Sequence, residues 1–85
     1  MRAEDILPDH VDHGSFDGVV VRKGTVAAFL ANAKTLARAD ATAAERAAAQ
    51  RDIADSLPAL RALGLFDVLA IRDDALRAWV DAAQA

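Results

Sequence analysis

Hydrophobic positions in this chain change their spacing as the sequence proceeds, and each change marks an element. In "GSFDGVVVRKG" apolar residues flank Asp17-Gly18, a favoured two-residue hairpin turn because both of its central positions take positive φ. The pattern predicts strands at 13–16 and 19–23. Phe16 then faces Val19, Gly14 faces Val21 and Asp12 faces Lys23 on one side, while Ser15 pairs with Val20 and His13 with Arg22 on the other. A lone hairpin is marginal in water, so its Phe16/Val19/Val21 side is expected to lie on helices.

From "GTVAAFLANAKTLARAD" onwards the period lengthens to that of a helix. Gly24 permits a tight exit from the strand, and Thr25 is the expected N-cap of a helix over about 25–39. At 100° per residue, Val26, Phe29, Leu30, Ala33, Leu36 and Ala37 form one apolar stripe. Thr42-x-x-Glu45 is a capping box that starts a second helix over about 42–57. Its alanine-rich first half offers little to bury, so core contact is expected from Ile53 through Leu57, Leu60 and Leu63. Pro58 lacks the backbone donor that a helix interior needs, so the helix kinks there or restarts as a separate piece over 58–63. Gly64 supplies a left-handed terminus. The run 65–71 is too short for its period to decide between helical turn and strand, and the turn is preferred. A last helix over about 73–83 is capped by Asp73 or Asp74 and carries Leu76, Trp79, Val80 and Ala83 on one stripe.

The predicted fold class is therefore α+β and mostly helical: a two-stranded antiparallel β-hairpin packed on three to four α-helices. A flexible N-terminal arm over 1–12 precedes a single globular domain over 13–85, since a chain of 85 residues is near the size at which one core just suffices.

Composition narrows the function classes. The chain has no cysteine, so disulfides, thiolate metal ligands and thiol chemistry are excluded. No stretch approaches the roughly 20 apolar residues of a membrane span, and the acidic start "MRAEDILPDH" has no hydrophobic signal region, so a cytoplasmic protein with no membrane partner is expected. Abundant alanine and the excess of arginine over lysine fit a GC-rich bacterial genome. The net charge of -3 is unevenly spread: residues 21–51 are basic, and both flanks are acidic.

Asp17-Gly18, Gly24-Thr25-Val26 and Gly64-Leu65-Phe66-Asp67 together resemble a family of small uncharacterised proteobacterial proteins, over roughly residues 13–80. That resemblance implies a hairpin-plus-helices fold and no established function, catalytic residue or cofactor.

The remaining question is chemistry. His10 and His13 sit in "DHVDHGSFDG" with acids beside them, but positions three apart on an extended strand point opposite ways, so no metal site is expected. With no Cys or Tyr, two Ser, and neither a Gly-rich phosphate loop nor a GxSxG elbow, no catalytic residue, cofactor or enzyme activity is expected. Two surfaces stay open. Arg22, Lys23, Lys34 and Arg38 form a possible electrostatic contact surface, on which weak nucleic-acid binding is the alternative reading, disfavoured by the acidic flanks and the lack of interleaved aromatics. Leu65, Phe66, Leu69 and Trp79 form a possible apolar interaction surface. The leading expectation is a non-catalytic protein-interaction or assembly module that binds an unidentified protein partner or itself.

Overall fold

A computed structural model describes residues 1–84, so Ala85, the last residue of the expected domain, lies outside them. The architecture is the expected one, a two-stranded antiparallel hairpin followed by helices. Strands β1 (His13–Phe16) and β2 (Val19–Arg22) pair in the register His13 with Arg22, Gly14 with Val21, Ser15 with Val20 and Phe16 with Val19. Asp17 and Gly18 both take positive φ, of 51° and 79°, as a turn matched to the strand twist requires. The Lys23 N–H donates to the Asp12 carbonyl at 2.6 Å and extends the ladder by one pair.

The segment expected as a flexible arm lies against this hairpin. Residues Ala3–Ile6 form a single helical turn, α1, started by the Arg2 N–H donating to the Asp5 carboxylate at 2.8 Å. It stops at Leu7, whose extended backbone is what a following Pro8 demands. Lys23 Nζ donates to the carbonyls of Pro8 and Asp9 at 3.0 and 3.3 Å and straps the segment down. Leu7 in turn sits over Gly14, where any Cβ would lie 2.9 Å from its Cδ2.

Helix α2 (Thr25–Ala37) begins differently from the expectation. Gly24, with φ 89°, is the N-cap, while the Thr25 hydroxyl donates backwards to the Arg22 carbonyl at 2.7 Å instead of accepting from the first turn. The tight exit from β2 places Arg22 within reach, and the hydroxyl takes that partner. The buried stripe is also rotated: Thr25, Val26, Phe29, Asn32, Ala33 and Leu36 turn inward, whereas Leu30 and Ala37 are exposed. Leu30 is one residue, about 100°, beyond Phe29, and no element covers that side.

Helix α3 (Ala43–Leu63) opens on the expected capping box. The Glu45 N–H donates to Thr42 Oγ1 at 3.0 Å, and the Thr42 N–H donates to Glu45 Oε1 at 2.9 Å. Two expectations are corrected here. The helix runs through Pro58 without breaking into 42–57 and 58–63, because Ile53, Leu57 and Leu60 form one buried stripe that spans the proline, and Pro58 itself faces solvent. Core contact also starts a turn earlier, at Ala49, since alanine's small side chain lets the facing α2 approach closely. Gly64 ends the helix at φ 79°.

Residues Leu65–Val68 are a helical turn, α4, as preferred from sequence, and α5 (Asp74–Gln84) is capped by Asp73, whose carboxylate accepts the Leu76 N–H at 2.8 Å. Phe29, Ile53, Leu57, Leu60 and Val80 form the buried cluster, with Phe66 set edge-on to Phe29 at a centroid distance of 5.8 Å. Among the described residues no helix is long and apolar enough to cross a membrane.

Candidate interaction surface

The four candidate cations, Arg22, Lys23, Lys34 and Arg38, do not act together. Arg22 and Lys23 lie at the start of α2, beside a hollow lined by Ile6, Leu7, Phe16, Val21 and Leu63. Nine residues of helix, about 14 Å, separate Thr25 from Lys34. Lys23 is occupied with the Pro8 and Asp9 carbonyls. Arg38 is held by Glu45 at 3.0 Å and Asp40 at 3.2 Å, and these two carboxylates push its guanidinium pKa up from the ordinary value, Glu45 most. Arg22 and Lys34 have no ion pair among the described residues.

Sequence reasoning passed over Arg46 as a functional part of the structure. Its guanidinium donates to the Leu36 carbonyl at 2.9 Å and to the Arg38 carbonyl, so one planar fork closes the C-terminal end of α2 from the flank of α3. No local signal marks it, because its acceptors belong to the preceding helix.

The four apolar candidates divide. Leu65, Phe66 and Trp79 are half-buried and packed against the core cluster. They are large enough to reach a core that is itself small. Leu69 is exposed at 59 %, and among the other exposed apolar side chains Leu30, at 51 %, and Val68, at 83 %, lie in the same region.

Leu30 and Leu69 border the same feature. Between α2 on one bank and α4, the 69–73 connection and the start of α5 on the other runs an open groove of about 680 Å³. Its walls are Val26, Phe29, Ala33, Leu65, Phe66 and Leu76, and the small Ala37 and Ala70 widen it. The groove exists because α2 and α5 each pack on α3 but hardly on one another. Its charged residues are Lys34, Arg72 and Asp73, and the Asp73 carboxylate is engaged at the start of α5.

The histidines sit apart from this groove. His13 Nδ1 lies 2.7 Å from Asp12 Oδ1 at the exposed start of β1, and that hydrogen bond, with the nearby charges of His13 and Arg22, holds the Asp12 carboxyl below its ordinary value. Among the described residues no three of His, Cys, Asp or Glu gather where they could hold a metal ion. Comparison with known proteins finds no matching family model, no matching curated protein and no matching solved structure.

Proposed function

We propose that this chain is a non-catalytic protein-interaction module, and that its working surface is the groove between α2 and the α4–α5 segment, which docks the apolar face of a helix from a partner protein. The observation that carries this reading is the groove itself: an apolar trough with Leu30 and Leu69 exposed at its lips. Burial of exposed leucines in a preformed groove is a recurring mode of helix recognition, read by anchors at i, i+3 or i+4, and i+7. Along α2, Val26 to Ala37 gives a bank about 16 Å long, which matches three turns of a docked helix. Nucleic-acid binding through Arg22, Lys23, Lys34 and Arg38 is the weaker reading, because Lys23 and Arg38 are already engaged within the chain.

Panning a displayed library of helical peptides against the full chain tests the proposal. Enriched peptides are expected to carry the i, i+3/i+4, i+7 apolar pattern and to lose about tenfold or more in affinity against Leu30→Asp and against Leu69→Asp, each shown by circular dichroism to be folded. Enriched peptides without that pattern, or with binding indifferent to both substitutions, would overturn it.

A further inference from the structure

Resting on the groove reading, the distribution of charge around it specifies the chemistry of the occupant. Lys34 stands on the α2 bank, and Arg72 stands on the opposite bank just before α5. Both side chains are exposed, and neither has an ion pair among the described residues. The single acid lining the groove, Asp73, is turned to the Leu76 N–H. Each bank thus offers an uncommitted cation above an apolar floor.

We infer that the partner is an amphipathic helix whose apolar stripe is flanked on both sides by carboxylates. A glutamate on either side of the stripe would reach Lys34 and Arg72 while the stripe fills the floor. A bidentate pair to the Arg72 guanidinium would also set the helix's register. A second copy of this chain fits less well. A symmetric groove-to-groove contact presents the same patch on both sides, and so brings Lys34 and Arg72 of one copy towards those of the other. The chain as a whole carries -3, so its long-range field opposes an acidic ligand. The expected preference is therefore short-ranged and survives at about 0.15 M salt, where charges beyond roughly 8 Å are screened.

Two fluorescein-labelled 15-residue peptides with one shared leucine stripe, flanked by Glu in one and by Lys in the other, provide the test, with affinity read by anisotropy on the full chain at that salt. The Glu peptide is expected to bind about tenfold more tightly than its Lys twin, and the Lys34→Glu/Arg72→Glu variant to reverse the order. Equal affinity of the twins, with both lost in Leu30→Asp, would overturn the charge inference and leave the groove reading standing. Failure of both peptides to bind would overturn both. Light scattering would then show whether a concentration-dependent dimer, abolished by Leu30→Asp, covers the groove instead.

Discussion

At the scale of single residues, Glu45 carries the clearest electrostatic signature. The Thr42 N–H donates to it, the Arg38 guanidinium lies on its other oxygen, and the Thr42 hydroxyl is close by. In that order of importance the backbone hydrogen bond and the guanidinium hold its carboxyl below the ordinary glutamate value. The folded chain therefore favours the carboxylate. The resulting stability is present above the unfolded value of about 4.3 and is lost as pH falls through the lower folded value. Carbon-13 NMR is expected to place the Glu45 midpoint below about 4.3, and Arg38→Gln to move it upward. A midpoint at or above that value in the unaltered chain would mean that these contacts are not made in solution. The capping box was readable in the sequence because both of its partners lie within one turn. So was the Asp17-Gly18 turn. Thr25 was misread for the complementary reason: its hydroxyl had two acceptable partners, and strand geometry chose between them.

At the scale of elements, the joint between α2 and α3 depends on one side chain. Arg46 gives two hydrogen bonds to carbonyls that α2 leaves open at its end. Arg46→Ala is expected to cost about 1–2 kcal/mol in chemical denaturation, and Arg46→Lys to recover only part of it, since an ammonium cannot form a fork. Full recovery by lysine would show that charge alone acts at this joint. Periodicity and capping signals located α2, α3 and α5 but missed α1, and periodicity placed Leu30 on the buried stripe, while the missing backbone donor of Pro58 left a kink or a division of α3 as the alternatives. In both cases the local pattern is silent about what packs opposite. Periodicity reports which residues are apolar, whereas burial depends on what lies opposite: nothing covers Leu30, and a continuous partner surface faces Ile53, Leu57 and Leu60. The groove was illegible for the same reason, being a gap between elements far apart in sequence.

At the scale of the whole molecule, α3 is a spine of 21 residues, about 31 Å long, on which the hairpin, α2, α4 and α5 are hung. The radius of gyration of 13.7 Å exceeds the roughly 12 Å of a compact chain of this length. The molecule measures 38 × 26 × 20 Å, and α5 is held on the spine chiefly by Val80 and its half-buried neighbours Leu76 and Trp79. Stability is therefore expected to be uneven. Hydrogen exchange should be slowest at amides around Phe29, Ile53 and Leu57, and faster throughout α5. Equal protection in α5 and α3 would contradict this ranking. The Arg46 fork also bears on the order in which the fold assembles. Its acceptors, Leu36 and Arg38, precede it by ten and eight residues, so the clasp joins neighbours in sequence as well as in space. A helix pair closed over so short a span needs little loop entropy and is expected to close early in folding. The bank that α2 provides would then be in place before α4 and α5 dock, and the groove would be finished last.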